Sequence, residues 1–211
     1  MASCTVLGLS ASPVRDSKTA LIVERVLEHV RHFGIRTEHI RLRDLSASAL
    51  LAGEIKEPGI SLFARAVAEA HGIVIATPIY KASFSGLLKA SLDILPQFGF
   101  SGKVVLPLAN GGSVAHVLAL DYGLRPVLQS MGARHIVQAH FFCEADLTFA
   151  DQGLVIKPAA EAPMMAAIRN FSHSLTSTDD AKWLGHPRPP ADPPTSASEG
   201  HAAAACASHW Y

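Results

Sequence analysis

Residues 77–89 decide the fold, and they read Thr77-Pro78-Ile79-Tyr80-Lys81-Ala82-Ser83-Phe84-Ser85-Gly86-Leu87-Leu88-Lys89. The run just before them, residues 73–76, is apolar and rich in β-branched side chains, as in a buried parallel strand. The residues after the loop follow a helical pattern, with Leu88, Leu92 and Leu95 on one side. A strand, an irregular loop and a helix in this order form the unit that binds a ligand at the carboxyl edge of an open α/β sheet.

The loop inside this unit has a composition that suits a planar ring. Pro78 fixes one φ angle and lacks an N–H donor, and Tyr80 offers a flat face. Ser83, Ser85 and Gly86 allow a tight, hydrogen-bonding path into the following helix. An ordinary turn with a buried tyrosine has the same local composition, so the loop alone leaves both interpretations open.

The overall composition favours one folded domain. The chain has 211 residues, of which 49% are hydrophobic, and 18 basic residues balance 18 acidic ones. A net charge of zero gives no electrostatic reason to expect nucleic acid or an anionic membrane as a partner. We expect one domain over residues 1–178 and a disordered tail over residues 179–211, where proline and alanine accumulate.

The start of the chain and its cysteines favour a cytoplasmic protein. No basic segment precedes the first apolar run, and no apolar run reaches the length of a membrane span. Cys4, Cys143 and Cys206 lie too far apart in the sequence to suggest a disulfide framework or a thiolate metal site. The histidines show no metal-ligand spacing either, so we expect no metal.

A hydroxyl-rich loop follows the first predicted strand, residues 5–9, and leads into a helix. Its polar residues include Ser12, Arg15, Ser17, Lys18 and Thr19. Free N–H groups and the positive end of the helix dipole make such a loop an oxyanion site. It lacks the glycine patterns of Walker A and dinucleotide loops, so a phosphate monoester fits better than a pyrophosphate. A plain helix cap by Ser17 stays open as the alternative.

The remaining patterns complete five strands that alternate with helices. The predicted strands cover residues 5–9, 36–42, 73–76, 104–109 and 135–142, and the last helix covers residues 159–175. Because residues 36–42 are more polar, we expect them at an edge of the sheet. Pro107 removes a ladder donor and predicts a bulge or a local break. Gly123 and Pro126 interrupt a helical pattern and predict a kink or π-bulge near residues 121–123.

A third ligand-type loop, residues 110–116, follows the strand at residues 104–109. Its paired glycines, Gly111 and Gly112, allow backbone to approach a ligand closely. In a parallel sheet, the loops after strands one, three and four share one edge. Their convergence predicts a ligand of mononucleotide size, with a ring and a phosphate.

Three stretches of the chain resemble the flavodoxin-like NAD(P)H-dependent FMN reductases. Residues 77–89 contain the core of that family's flavin loop, P-x-Y followed by G-x-L-K. Residues 102–122, including Pro107, resemble the branch that serves two-component alkanesulfonate monooxygenases. The hydroxyl-rich loop resembles the family's phosphate loop, although Ala11 stands in place of the usual glycine.

The resemblance implies a doubly wound, five-stranded parallel sheet in the order 2-1-3-4-5, with FMN and NADPH or NADH as cofactors. It implies that the FMN phosphate is held by Ser12, Ser17, Lys18 and Thr19, and Arg15 lies where it could reach a phosphate of FMN or NADPH. The isoalloxazine ring would contact Pro78, Ile79, Tyr80, Lys81, Ser83, Gly111, Gly112 and Ser113. Tyr122 matches a tyrosine in a π-helix at the family's subunit interface, which implies a homodimer or homotetramer.

The implied activity is hydride transfer from NAD(P)H to FMN, with reduced FMN supplied to an FMNH2-dependent monooxygenase in sulfonate sulfur assimilation. No catalytic side chain is assigned, because the hydride passes between the two cofactors. Two alternatives stay open. One is a reductase of quinones, azo dyes or chromate that retains its FMN. The other is a non-catalytic flavodoxin-like carrier, against which the zero net charge argues.

Overall fold

The computed structural model describes residues 4–133, 135–150 and 153–176, and the predicted tail over residues 179–211 lies outside them. The strands are β1 Thr5–Ser10, β2 Arg36–Arg41, β3 Gly72–Tyr80, β4 Ser83–Phe84, β5 Val104–Gly111, β6 His135–Ile136, β7 His140–Cys143, β8 Leu147–Ala150 and β9 Gly153–Ile156. The helices are α1 Lys18–Arg31, α2 Ala47–Ala52, α3 Pro58–Glu69, α4 Gly86–Asp93, α5 Arg125–Ser130 and α6 Pro158–Thr176. A π-helix spans Ala119–Leu124, and 3₁₀ turns span Leu42–Asp44, Val114–His116 and Glu144–Asp146.

The central sheet is parallel and has helices on both faces. β1 pairs with β2 and β3, and β3 pairs with β5. The short strands β6 and β7 both pair with the other edge of β5. With β6 and β7 taken as one interrupted strand, this is the predicted order 2-1-3-4-5, and the predicted α/β fold is confirmed. The polar strand β2 lies at an edge, as predicted.

Pro107 does not break its own strand, so that prediction is wrong. β5 is continuous and keeps its register with β3 throughout. The N–H of Val104 donates to the His71 carbonyl on the β3 side, whereas the carbonyl of Val105 accepts from Val137 on the outer side. By this alternation, the missing donor of Pro107 faces outward, into the gap between β6 and β7. The predicted strand at residues 135–142 is therefore split in two, and the interruption lies in the neighbouring strand.

Buried apolar side chains join the helices to both faces of the sheet. On one face, α1 and α6 contribute Val23 and Phe171 to the core. On the other face, α3 and α4 contribute Phe63 and Leu88. α1 lies so close to β1 that a Cβ on Gly8 would be 2.5 Å from Val23 Cγ1. This tight packing holds β1, and with it the loop that follows, against α1.

The π-helix confirms the kink that was predicted near residues 121–123. Pro126 lies in the first turn of α5, where its missing N–H costs little. The sequence patterns did not indicate β4, α2 or the hairpin of β8 and β9, which are all short. None of the helices in the described ranges is long and apolar enough to cross a membrane.

Candidate functional site

A cavity of about 390 Å³ lies at the carboxyl ends of β1, β3 and β5, and small-molecule sites usually measure about 300–1,000 Å³. The structure brings the three predicted loops together here. The predicted residues that line the cavity are Ser12, Ser17, Lys18, Thr19, Pro78, Ile79, Tyr80, Gly111 and Gly112. The remaining lining residues are Val14, Asp16, Asn110, Glu144 and Phe149.

The hydroxyl loop, residues 11–17, forms the polar end of the cavity. The N–H of Ala20 donates to Ser17 Oγ at 3.4 Å, which makes Ser17 the cap of α1. The N–H of Val14 donates to Ser12 Oγ at 3.3 Å and shapes the loop. The first N–H groups of a helix have no partner inside the helix, and the dipole makes this end positive. Ser17 thus caps α1 at a helix end that is also suited to bind an oxyanion.

Ser85 ties the second loop to the hydroxyl loop. Its hydroxyl donates to the Ala11 carbonyl at 2.7 Å and accepts from the Leu88 N–H at 3.1 Å as the cap of α4. The N–H of Ser85 donates to Thr77 Oγ1 at 3.0 Å. Because Ser85 and Thr77 are buried, these bonds hold the two loops in one fixed arrangement.

A tight turn at Lys81 and Ala82 reverses β3 into β4. The φ angles of the two residues are +50° and +63°, in a region that costs a non-glycine residue about 1–2 kcal/mol. Tyr80 enters this turn, lines the cavity and is 46% exposed. Backbone strain of this kind is concentrated at ligand sites, and here it sets where the Tyr80 ring lies at the cavity mouth.

The third loop lines the cavity with Asn110, Gly111 and Gly112. A Cβ on Gly111 would lie 3.2 Å from Phe141 Cζ, so a side chain there would crowd the Phe141 ring. A Cβ on Gly112 would meet nothing within 4 Å. The backbone at Gly112 is therefore open to approach by a ligand.

Four side chains in the cavity lining form a hydrogen-bonded chain. Thr19 Oγ1 donates to Asn110 Oδ1 at 2.7 Å, and Asn110 Nδ2 donates to Glu144 Oε1 at 2.5 Å. Glu144 Oε2 completes the line with an ion pair to Lys18 Nζ at 2.7 Å. Burial alone would raise the pKa of Glu144, but hydrogen bonds from Lys18 and Asn110, together with the charge of Lys18, lower it below its ordinary value. Glu144 is therefore a carboxylate at neutral pH.

Some predicted site residues lie outside this lining. Arg15 is exposed, Lys81 belongs to the strained turn, and Ser83 belongs to β4. Ser113 Oγ accepts from the N–H of Ala115 at 3.2 Å and caps the 3₁₀ turn at Val114–His116. Contact between these residues and a ligand stays a prediction.

Asn110, Glu144 and Phe149 line the cavity but were not predicted as site residues. Asn110 begins the third loop, so its place at a strand end was an available signal. The contact of Glu144 with Lys18 joins residues 126 positions apart, and Phe149 lies in a strand of four residues. No local pattern could have located these two side chains at the cavity.

The cavity lining combines two chemically different sets of groups. The hydroxyls and the helix end suit an anionic group, and Pro78, Ile79 and Tyr80 suit a flat ring. Within the described ranges, no three His, Cys, Asp or Glu side chains are grouped as they would be around a metal ion. The arrangement suits an elongated ligand that carries a ring and a phosphate.

Comparison with known proteins agrees with this chemistry. The family model for NADPH-dependent FMN reductase matches residues 4–147. The chain is 35% identical over 184 residues to an FMN reductase (NADPH) of Pseudomonas putida, covering 87% of this chain and 90% of that one. It is 33% identical over 174 residues to an FMN reductase (NADPH) of Escherichia coli, covering 82% and 91%.

A solved structure is also similar. The apo form of an NADH:FMN oxidoreductase aligns with a TM-score of 0.80 and 45% sequence identity, over 88% of this chain and 97% of that one. The resemblance seen in the loops thus extends over most of both chains. This chain belongs to the NADPH-dependent FMN reductase family, and it is an NAD(P)H-dependent oxidoreductase.

Proposed function

We propose that this enzyme transfers hydride from NAD(P)H to FMN and supplies the reduced FMN to a partner monooxygenase. The observation that carries the proposal is the cavity, where three loops combine a helix end suited to an anion with apolar and aromatic lining residues. When FMN is bound, its isoalloxazine ring would supply the hydride-accepting chemistry. The chain's own residues would bind and orient the two cofactors and exclude water.

The hydroxyl loop is the proposed site of the FMN phosphate. Ser12 and Ser17 line this end, and the first N–H groups of α1 point out of the helix. Thr19 already donates its hydroxyl to Asn110, so its contribution would come from the backbone. Lys18 is the nearby cation, and exposed Arg15 is the proposed contact for a phosphate outside the cavity.

The flavin ring is proposed to lie against Pro78, Ile79, Tyr80, Gly111 and Gly112. Support comes from the apolar side chains and open backbone that these residues contribute to the cavity lining. Lys81, Ser83 and Ser113 follow or flank this group in the chain and would contact the rim of the ring.

Two half-exposed aromatic side chains at the cavity are suited to a second ring. Tyr80 is 46% exposed, Phe149 is 50% exposed, and both contribute to the lining. Aromatic faces of this kind stack well on planar ligands. We assign the nicotinamide of NAD(P)H to the space beside these aromatic side chains.

The test of this function is the oxidation of NADPH and NADH by purified protein, with and without added FMN, FAD or riboflavin. We expect a nearly colourless protein whose turnover depends on added FMN. A yellow protein that is indifferent to added flavin would instead support a quinone, azo or chromate reductase with resident FMN. If neither NADPH nor NADH is oxidised under any condition, both enzyme functions are contradicted and a flavodoxin-like carrier is favoured.

The partner in this proposal is an FMNH2-dependent monooxygenase that acts on alkanesulfonates. It is supported by the resemblance of residues 102–122 to the sulfonate branch of the family. The test mixes the reductase with such a monooxygenase, NAD(P)H, FMN and an alkanesulfonate, and measures sulfite. Sulfite release that is no faster than with a non-cognate flavin reductase would contradict the sulfonate assignment.

A homodimer or homotetramer that buries Tyr122 completes the proposal. Tyr122 is 79% exposed in the π-helix, and Leu118 and Val114 nearby are 55% and 65% exposed. An apolar surface of this kind is typical of an interface. Light scattering should give an oligomer for the wild type and a smaller species for Tyr122→Asp, and equal masses would contradict this interface.

A further inference from the structure

We infer that Glu144 lowers the affinity of the site for the phosphate of FMN, because it engages Lys18 and adds negative charge near the phosphate. Glu144 would thereby increase the rate at which FMN leaves the site. The inference rests on the proposed function, since it assumes that the hydroxyl loop receives the phosphate.

The charges at the cavity are unusual for a phosphate site. Among the lining residues that the structure describes, Lys18 is the one cation, whereas Asp16 and Glu144 are both acidic. An FMN phosphate would therefore meet a helix end and hydroxyl groups, which favour it. The charged side chains of the lining oppose it, because one lysine and two carboxylates give a formal charge of −1. Such a set lowers the affinity for a phosphate relative to a neutral analogue.

Lys18 is engaged by contacts on two sides. Its Nζ lies 2.7 Å from Glu144 Oε2 and 5.7 Å from the centroid of the Phe149 ring. Asn110 holds the other carboxylate oxygen of Glu144, so the carboxylate is fixed from both ends. The Lys18 and Glu144 side chains are only 21% and 38% exposed, so solvent screens this pair less than a surface pair. A phosphate would have to share Lys18 with a carboxylate that is already in place.

This arrangement suits an enzyme that must release its flavin. Most differences in affinity among variants of one site lie in the dissociation rate. A site with Lys18 free would hold the phosphate longer and slow the transfer of flavin to another protein. Glu144 thus favours the release of FMN over its retention.

The test compares FMN with riboflavin, which has the same ring and no phosphate. Dissociation constants would be measured by flavin fluorescence quenching for the wild type and for Glu144→Gln, which keeps the shape and removes the charge. We expect Glu144→Gln to bind FMN about tenfold more tightly, with riboflavin affinity unchanged. The gain should shrink at high salt, and it should be smaller in a Lys18→Met background, where only the direct repulsion remains.

A matched control is Asp146→Asn, which removes a carboxylate from the same 3₁₀ turn. Asp146 pairs with Lys157 at 3.5 Å and is absent from the cavity lining, so the ratio of FMN to riboflavin affinity should stay at the wild-type value. If Glu144→Gln leaves that ratio unchanged or weakens FMN binding while the wild type binds and reduces FMN, the inference alone is overturned. If the wild type neither binds nor reduces FMN, the proposed function is overturned with it.

Discussion

The two walls of the cavity are built in different ways. The sheet wall, residues 11–19, 78–80 and 111–112, extends directly from buried strands and is held by buried hydrogen bonds at Ser85. The hairpin wall, residues 144–150, consists of a 3₁₀ turn and the four-residue strand β8, and Phe149 in it is half-exposed. The sheet wall fixes where a ligand lies, whereas the hairpin wall is placed to adjust how tightly it is held.

The largest effect is expected where the sheet wall is tied together. Ser85→Ala should lower the free energy of unfolding by about 3 kcal/mol, because it removes the cap of α4 and leaves the buried Ala11 carbonyl without its donor. Ser46→Ala is the matched control, because Ser46 caps α2 and its further hydrogen bond, with Ser48 Oγ at 3.1 Å, is exposed to solvent, and it should cost about 1 kcal/mol. Urea unfolding measures both. Equal losses would contradict the role of Ser85 in joining the loops.

The next effect concerns Asn110, which connects the two walls. Asn110→Ala should cost about 2 kcal/mol, because the buried Thr19 hydroxyl and the Glu144 carboxylate each lose a partner. Thr19→Val removes the hydroxyl that donates to Asn110 Oδ1. In a double-mutant cycle by urea unfolding, the two changes together should cost less than the sum of the single changes. Strict additivity would indicate that this bond contributes nothing.

The same contrast explains what the sequence could predict. The sheet wall was predictable because long apolar runs mark buried strands, and hydroxyls and glycines directly after them mark ligand loops. The loops of β1, β3 and β5 meet because parallel strands share a carboxyl edge, which is a rule of topology. Tyr122 was placed in a distorted helix because Gly123 and Pro126 disturb a helical pattern locally.

The hairpin wall was not predictable in this way. β8 and β9 have four residues each, too few for an alternating pattern to stand out. Glu144 acquires its role only through Lys18 and Asn110, which lie 126 and 34 positions away. The effect of Pro107 was misjudged for a related reason, since the missing donor acts on the neighbouring strand and not on its own.

Lowering the pH should lower the free energy of unfolding through two partly buried histidines, His39 and His140. His39 Nε2 lies 2.9 Å from Ser10 Oγ, and burial lowers the pKa of His39, although Glu24 opposes the shift. His140 in β7 leads towards the hairpin wall, and burial lowers its pKa against a smaller opposing effect of a backbone hydrogen bond with Ala160. Both pKa values therefore fall below the ordinary 6.5.

The direction of the pH dependence of stability follows from these lowered pKa values. Well above pH 6.5 the two imidazoles are neutral in the folded and the unfolded chain and contribute no pH dependence. Below it, the unfolded chain binds protons that the folded chain resists, so the free energy of unfolding falls as the pH falls. Urea unfolding between about pH 7.5 and 5.5 measures this slope. His140→Gln should make the slope shallower, and an unchanged slope would exclude His140 as a contributor.

The smallest effect tests the strained turn at Lys81 and Ala82, which follows the sheet wall. Ala82 has a φ of +63°, and Ala82→Gly should raise the free energy of unfolding by about 0.5–1 kcal/mol, since glycine adopts this conformation without steric cost. Ala64→Gly in α3 is the control and should lower it by about 1 kcal/mol, because glycine is unfavourable inside a helix. Opposite signs for the same substitution would identify backbone strain as the cause.

The relaxed turn should also hold Tyr80 less firmly, so a higher KM for FMN in a more stable protein would mean that the strain serves ligand binding. A destabilised Ala82→Gly would instead mean that the turn carries no net strain.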